Sequence, residues 1–341
     1  MENIQNVMTA FAKYNNIHLD NYVSDDYLNE ENKMFFFDNY IGNDIFEKNI
    51  IKWLSFFEEK DRAVFMDLLS HYRYFTKEKY RKAIKEICGH IMEEIEGESD
   101  KVLLVTFPSK KGIASGGDQV RAMLEEILIG KLKKDHIISD TTKLDESVYN
   151  GIKYIVFIDD IVGSGTTLFG NVRAVCDKLP LGKRTDIKYF VAMVYANKRK
   201  IQRKINELKN KYGIDIQNIF VYENTDKCFD SNVMFEEGTR KVYKTITEYY
   251  EIKIEENKLD DDTEIDSILG FQKGQLLVSF HYNTPNNTLS VFWRPSKLSN
   301  DPLFIRNKYI RPSISDIRKA KNHCKNNAYL KRKLEHVSEN S

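Results

Sequence analysis

Short, almost wholly apolar segments alternate with amphipathic segments between residues 98 and 225, and this alternation is the strongest constraint on the fold. The apolar segments, rich in β-branched and aromatic residues, lie at 102–107, 154–158, 189–195 and 219–222. The intervening segments 119–131, 166–179 and 198–212 carry apolar residues at helical spacing. A strand that is apolar on both faces must be covered on both faces. The pattern therefore predicts an α/β fold in which helices cover both faces of a parallel sheet.

The composition divides the chain into three predicted regions. Residues 1–97 carry apolar residues at three- and four-residue spacing and are predicted to form a helical N-terminal region. Residues 98–300 are predicted to contain the α/β core together with inserted hood elements, including an acidic stretch at 251–266 that is interpreted as a solvated face or loop. Residues 301–341 are predicted to form a basic C-terminal tail.

Composition and charge exclude several classes of protein. With 12% aromatic residues in 341, the chain has too many large rings for a disordered protein. The 52 basic and 51 acidic residues nearly cancel, so net charge favours neither a membrane surface nor nucleic acid as a partner. No apolar run approaches the roughly 20 residues that span a bilayer, and no signal-peptide pattern begins the sequence. We therefore expect a cytoplasmic protein.

A turn rich in glycine and hydroxyl residues follows the second predicted strand, and two acids, Asp159 and Asp160, precede it. The residues of this turn are Gly163, Ser164, Gly165, Thr166 and Thr167. Its glycines permit close approach of the backbone to a ligand, and its hydroxyl and N–H groups lie where a helix N-terminus favours a phosphate. A phosphate cradle preceded by two carboxylates suits a ribose 5-phosphate with vicinal hydroxyls.

The segment 159–167, Asp-Asp-Ile-Val-Gly-Ser-Gly-Thr-Thr, resembles the phosphoribosyl pyrophosphate (PRPP) loop of type I phosphoribosyltransferases. The resemblance implies a Rossmann-like core in which Asp159 and Asp160 hold the ribose 2′- and 3′-hydroxyls, and the second acid also assists the developing oxocarbenium ion. It also implies that residues 163–167 surround the 5-phosphate. Gly163 stands where the family more often has Thr, which loosens the turn but keeps its backbone donors. The structural alternative is an unrelated strand–turn–helix with a capped N-terminus.

A second glycine-rich turn follows the first predicted strand, and the resemblance implies that it receives pyrophosphate. The residues assigned to it are Ser109, Lys110, Lys111, Gly112, Ser115 and Gly116. An ordinary solvated lysine pair on a strand-to-helix loop is the alternative. The implied cofactor is Mg²⁺, held mainly by oxygens of the ligand and water, with Asp159 or Asp160 as further candidate ligands. The implied reaction is attack at the anomeric carbon with departure of pyrophosphate, which would make the chain a pentosyltransferase.

The accessory regions resemble those of phosphoribosyltransferase-like effectors from bacterial anti-phage and retron conflict systems. The features that carry this resemblance are the helical N-terminus with Trp53 and the segments 284–289 and 292–293. In the last two segments Asn286, Asn287 and Trp293 are predicted to read or stack on a base. A tight turn with a buried tryptophan is the structural alternative. The resemblance implies an effector in anti-phage defence.

Other interpretations stay open at this stage. The same fold can sense PRPP or a related nucleotide without turning it over, or can serve as a nucleic-acid-associated regulatory subunit of a defence complex. The basic segments 198–204 and 306–333 are the candidate contacts with RNA or DNA. A defence-system protein is a further candidate partner. The sequence also leaves open whether the chain forms a homo-oligomer.

Overall fold

The computed structural model describes residues 2–20, 40–107, 116–139, 149–162, 165–179, 185–230, 234–259, 268–298, 302–304 and 306. The helices are α1 (Glu2–Asn15), α2 (Asn43–Leu54), α3 (Arg62–Ser70), α4 (Lys77–Glu94), α5 (Gly116–Ile127), α6 (Thr166–Lys178), α7 (Lys198–Tyr212) and α8 (Glu237–Glu256). The strands are β1 (His18–Asp20), β2 (Tyr40–Gly42), β3 (Arg73–Phe75), β4 (Val102–Thr106), β5 (Ile137–Ile138), β6 (Tyr154–Val162), β7 (Lys188–Ala196), β8 (Ile216–Asn224) and β9 (Val278–Phe280).

A five-stranded sheet in the order β5-β4-β6-β7-β8 forms the centre of the fold, and every adjacent pair in it is parallel. The predicted α/β fold with a parallel sheet is thereby confirmed. After β4 the chain moves outward to β5 and then returns to the other side of β4 as β6. This reversal creates a crevice at the carboxyl ends of β4 and β6, which is where open parallel sheets bind their ligands.

Alternate residues of the central strands pack against different helices. Val156 and Ile158 of β6 join a cluster with α4 and α5, whereas Ile155 and Phe157 join a cluster with α6 and α7. This alternation follows from the pleat of a strand, which directs successive side chains to opposite faces. The sheet is therefore covered on both sides, as its continuous apolar strands require.

Local sequence sets the ends of the helices nearest the sheet. The Thr76 hydroxyl accepts a hydrogen bond from Lys79 N (3.2 Å) and caps α4. Asn197 caps α7 in the same way through Lys200 N, at 2.8 Å, and Gly213 ends that helix with a φ of 66°. Side-chain oxygens at these positions satisfy backbone donors that lack a partner within the helix. The basic segment 198–204 is therefore the first half of α7, whose apolar face packs in the core.

Buried residues drawn from 8–74 and 228–304 form a second hydrophobic core, here called the accessory layer, whereas Val278, Phe280 and Tyr282 pack in the cluster of α4, α5 and the central sheet. Within it, Trp53 donates a hydrogen bond from Nε1 to Val291 O (2.8 Å), and its ring stacks on Phe292 with centroids 5.0 Å apart. Strand β3 pairs in parallel with β9, which links the two ends of the chain. The accessory layer crosses the predicted boundary at residue 97, and both boundaries, at 97 and 300, stay predictions.

Glu251 departs from the interpretation of 251–266 as a solvated stretch. It lies on α8 with no exposed surface, and its carboxylate accepts hydrogen bonds from the backbone N–H groups of Leu269 and Ser290. The reason is that α8 continues through residue 256 and turns this side chain toward the core. Of the predicted tail, only residues 302–304 and 306 are described, and residues 260–266 also lie outside the described ranges. Across the described chain, none of the helices combines the length and hydropathy of a membrane span.

Candidate functional site

The two acids of the predicted sugar site lie within β6 and not beyond its end. Strand β6 continues past them because Asp159 stays in register with Met193 and Ile161 with Tyr195 of β7. The pleat directs Asp160 to the face of the sheet that α4 and α5 cover, and Asp159 to the opposite face. Asp160 is only 6% exposed, and its backbone N–H donates to Asp159 Oδ1 at 3.0 Å. The strand thus presents two adjacent carboxylates at its carboxyl end.

The first residue of α5 packs directly on the Asp160 carboxylate. A Cβ built on Gly116 would lie 2.1 Å from Asp160 Oδ2 and 2.2 Å from Cγ, so this position has no room for a side chain. The next residue is equally tight, because a Cβ on Gly117 would lie 1.8 Å from Phe107 O. The positive end of the helix dipole therefore lies beside a carboxylate, an arrangement that stabilises negative charge.

Tyr282 is the functional candidate that the sequence did not indicate. Its phenolic O–H donates a hydrogen bond to Asp160 Oδ2, although the two residues are 122 positions apart. Its ring lies 5.5 Å from that of Tyr80 on α4 and stacks at 5.7 Å on Phe280 of β9. The only signal in the sequence is that Tyr282 ends the strand-like segment 275–282, and nothing in that pattern relates it to Asp160.

Burial changes the acidity of every ionisable group in this cluster. It raises the pKa of Asp159 well above its ordinary value, and the charge of Asp160 raises it further. Burial also raises the pKa of Asp160, but the hydrogen bonds from Tyr282 and Asp159 act in the opposite direction. Burial and the Asp160 charge raise the pKa of Tyr282, so its hydroxyl keeps the proton that it donates. Asp160 is therefore the acid of the pair that ionises more readily.

The predicted phosphate turn leads directly into α6. Gly165 precedes the helix with a φ of 84°, a conformation that favours glycine, and its carbonyl accepts from Phe169 N at 3.0 Å. A Cβ on Gly165 would also lie 2.9 Å from the Phe169 ring. Gly163 and Ser164 lie outside the described residues, and Thr166 and Thr167 are described only as the first residues of α6. The structure thus places a helix N-terminus where the phosphate turn was predicted.

Most of the predicted pyrophosphate turn lies outside the described residues. This holds for Ser109, Lys110, Lys111, Gly112 and Ser115. Gly116 is described, and it lies on Asp160 as shown above. The turn begins after Phe107, next to the end of β4, and it ends at Gly116. The end at Gly116 thus lies on Asp160, the end at Phe107 lies against Gly117, and the role of the lysines stays a prediction.

The three residues predicted to read a base make contacts within the protein. Trp293 is 1% exposed, and its Nε1 donates to Thr288 O at 2.9 Å. Asn287 donates from Nδ2 to Phe271 O at 2.9 Å, and the Asn286 carbonyl accepts from Phe271 N at 2.7 Å. This is the geometry of the tight turn with a buried tryptophan that the sequence left as the alternative. Base reading by these residues stays a prediction.

Comparison with known proteins gives the family. A family model described as PRTase-CE matches residues 50–306, which include both acids, Gly116 and Tyr282. The chain belongs to the PRTase-CE family. Its parallel sheet is a Rossmann-like core of the type I phosphoribosyltransferase kind, and the family match also extends over much of the accessory layer.

Solved structures similar to this chain share little sequence with it. Helicobacter pylori xanthine-guanine-hypoxanthine phosphoribosyltransferase is 16% identical, and the match covers 45% of this chain and 87% of that one with a TM-score of 0.29. The AQ2163 protein from Aquifex aeolicus is 11% identical, with 55% and 88% covered and a TM-score of 0.24. No curated protein matches the chain.

Proposed function

We propose that this PRTase-CE protein binds PRPP, or a related nucleotide, together with Mg²⁺ at the carboxyl ends of β4 and β6. The observation that carries the proposal is the position of the Asp159–Asp160 pair at the point where the strand order reverses. Helices α5 and α6 both begin at this edge, α5 directly on Asp160. Two helix N-termini suit two anionic groups, and two carboxylates suit a pair of vicinal hydroxyls.

We assign each group of the proposed ligand to one part of this edge. Asp159 and Asp160 accept hydrogen bonds from the ribose hydroxyls. Residues 163–167, at the start of α6, hold the 5-phosphate through backbone N–H groups. The turn before Gly116, with Lys110 and Lys111, holds the pyrophosphate. The N-terminus of α5 and the two lysines both attract the negative charge of pyrophosphate, so they favour it over a neutral group.

Carboxylate oxygens are the type of ligand that Mg²⁺ prefers. Among the described residues no group of three metal-ligating side chains occurs, so we propose that oxygens of the pyrophosphate and water complete the coordination sphere. When bound there, Mg²⁺ would neutralise charge on the leaving group. The two buried carboxylates repel each other when both are ionised. A nearby cation would offset this repulsion, so the acid pair favours Mg²⁺ at this site.

The proposed reaction is substitution at the anomeric carbon of the ribose. The bond from C1 to the pyrophosphate oxygen breaks, its electron pair leaves with pyrophosphate, and a nucleophile forms the new bond to C1. The carboxylates of Asp159 and Asp160 hold the sugar hydroxyls and stabilise the positive charge that develops on the ring. The lysines of the pyrophosphate turn stabilise the departing oxygen. Hydrolysis is the special case in which the nucleophile is water.

We further propose that the protein acts as an effector in bacterial anti-phage defence. The resemblance of the accessory regions, with Trp53 and the segments 284–289 and 292–293, to such effectors supports this role. Either RNA or DNA, or a second protein, would be the partner in such a system. The exposed basic residues of α7, Lys198, Arg199 and Arg203, supply the candidate surface for an anionic partner. A non-catalytic sensor of PRPP is the second candidate function, since binding requires only the acid pair and the phosphate turn.

Calorimetry of PRPP with Mg²⁺ tests the proposed function. The wild type is compared with the variant Asp159→Asn/Asp160→Asn, and pyrophosphate release is followed in the same samples. The matched control is Glu93→Gln/Glu96→Gln, which removes two charges at exposed positions near the end of α4. We expect binding and release in the wild type and the control, and loss of both in the aspartate variant. Binding without release would indicate the sensor. Absence of binding by the wild type would overturn the PRPP assignment.

A further inference from the structure

We propose that Tyr282 is a positioning residue of the site, which fixes the Asp160 carboxylate in the orientation that accepts the ribose hydroxyl. This inference rests on the proposed function. It makes the C-terminal part of the chain contribute to the binding site, because Tyr282 follows β9 and packs in the cluster that joins β9 to α4 and to the central sheet, which carries Asp160. The sugar-binding edge is then complete only when the two parts of the chain are packed together.

The contacts of Asp160 leave its carboxylate little freedom to turn. Tyr282 donates to Oδ2, and Gly116 packs so closely on the carboxyl group that a Cβ there would lie 2.1 Å from Oδ2 and 2.3 Å from Oδ1. A carboxylate has about four lone-pair positions, and the tyrosine occupies one of them. The remaining positions stay available to a ribose hydroxyl. A carboxylate held by two elements of the fold loses less conformational entropy when the sugar binds.

The Tyr282 ring is itself held by buried neighbours. It stacks on Phe280, which in turn stacks on Phe75 of β3 at 5.0 Å. Tyr80 of α4 packs against the same ring, edge to face. Strand β9, which carries Phe280, is paired with β3. A packed aromatic cluster therefore holds the Tyr282 side chain, and with it the hydroxyl, in one position. This is expected of a group that orients a binding residue.

The contact can be measured as an energetic coupling between the two side chains. When two residues touch, the effect of changing both differs from the sum of the single effects, whereas distant residues act independently. Tyr282 bonds to Asp160, whereas Tyr72 bonds to residues of β9. The structure therefore predicts coupling of Asp160 to Tyr282 and none to Tyr72.

The test is Tyr282→Phe, which keeps the ring and removes only the donor. The control is Tyr72→Phe, since Tyr72 is a buried tyrosine whose hydroxyl bonds to Val278 O and Ser279 of the same strand β9 without touching Asp160. PRPP affinity with Mg²⁺ is measured by calorimetry at one pH near neutrality. We expect Tyr282→Phe to lose roughly tenfold in affinity and Tyr72→Phe to keep the affinity of the wild type.

A second measurement needs no ligand. Urea unfolding of Tyr282→Phe, Asp160→Asn and the double variant gives the coupling between the two side chains, and the same cycle with Tyr72→Phe is the control. We expect a clear coupling of Asp160 to Tyr282 and additive effects for Tyr72. Additive effects for Tyr282 would overturn the inference, and so would tighter PRPP binding by Tyr282→Phe, because the hydroxyl would then compete with the sugar. If the wild type does not bind PRPP, the proposed function fails, while the unfolding cycle still decides whether Tyr282 holds Asp160.

Discussion

Gly116 packs so closely on the Asp160 carboxylate that only a residue without a side chain fits at position 116. The distance of 2.1 Å between a Cβ built on Gly116 and Asp160 Oδ2 is far shorter than any van der Waals contact. The carboxylate can occupy its position only because glycine begins α5. The relationship connects the turn proposed for pyrophosphate with the acid proposed for ribose, so one substitution should disturb both.

Gly116→Ala is expected to displace either the Asp160 carboxylate or the start of α5. Overpacking of this kind costs about 1–3 kcal/mol of unfolding free energy. The variant should also lose measurable PRPP affinity, because the sugar and the leaving group meet at this point. Urea unfolding and calorimetry measure the two effects.

Gly89→Ala is the matched control for this substitution. Gly89 lies within α4, and a Cβ there would have no neighbour within 4 Å. An alanine at a helical position of this kind stabilises a protein by about 0.5–1 kcal/mol. The two changes should therefore act in opposite directions. Equal stability of the Gly116→Ala variant and the wild type would contradict the contact that the structure shows.

The central sheet and the location of the acids could be predicted because both depend on local sequence. Continuous apolar runs specify buried parallel strands, and the predicted segment 198–212 corresponds to α7. The strand before the acids was predicted to end at Ile158, whereas β6 extends to Val162. Charged residues at 159 and 160 interrupt the apolar pattern, yet pairing with β7 continues through them. Hydrogen bonds between strands do not depend on side-chain polarity.

The role of Tyr282 could not be predicted, because it depends on contacts between distant parts of the chain. Its partner Asp160 is 122 residues away, and the packing of β9 on β3 brings them together. The same limitation applies to Glu251, which the sequence alone does not distinguish from the other acids of the stretch 251–266. Only the tertiary structure shows that its carboxylate lies within the accessory layer.

Glu251 makes stability depend on pH. Burial raises its pKa from 4.5 to about 8 in the folded protein, so the folded state holds a proton that the unfolded state has lost between these values. Its contribution to the free energy of unfolding is therefore complete below about pH 4.5 and declines as pH rises through about 8. Urea unfolding at a series of pH values should show this decline.

Glu251→Gln separates this contribution from other titrations. The amide cannot ionise, so the decline should become shallower in the variant. The backbone N–H groups of Leu269 and Ser290 each donate to one oxygen of the Glu251 carboxylate, and the amide N–H₂ of glutamine cannot accept a hydrogen bond. One of the two donors therefore loses its acceptor, which should lower the free energy of unfolding by about 1–3 kcal/mol. A variant with the pH profile of the wild type would show that another group is responsible.

Glu223 connects the accessory layer to the edge of the central sheet. It lies on β8, where its carboxylate bonds to Arg73 and forms an ion pair with Lys79 at 3.2 Å. Burial lowers the pKa of Lys79 to about 8 although the Glu223 charge opposes this change. Glu223→Gln should therefore lower the Lys79 pKa further and destabilise the protein by about 3 kcal/mol, because two partly buried cations lose their partner.

The control for Glu223 is Glu126→Gln, which removes the partner of Arg81 in an ion pair whose side chains are more than half exposed. An exposed pair contributes at most about 1 kcal/mol, so this variant should remain close to the wild type. Chemical denaturation of both variants at neutral pH measures the difference. Equal losses in the two variants would mean that the Glu223 cluster is no stronger than a surface pair.

Trp293 offers the most direct comparison between a structural and a binding role. Its indole is 1% exposed and donates to Thr288 O, so Trp293→Phe should leave that buried carbonyl without its donor. We expect a loss of about 1–3 kcal/mol in unfolding free energy. Affinity for a nucleoside monophosphate, measured by calorimetry under conditions where the variant is folded, should stay close to that of the wild type, because no contact to the ligand is lost. A large loss of nucleotide affinity with unchanged stability would instead identify Trp293 as a base-stacking residue, and would require the turn at 284–289 to open when the ligand binds.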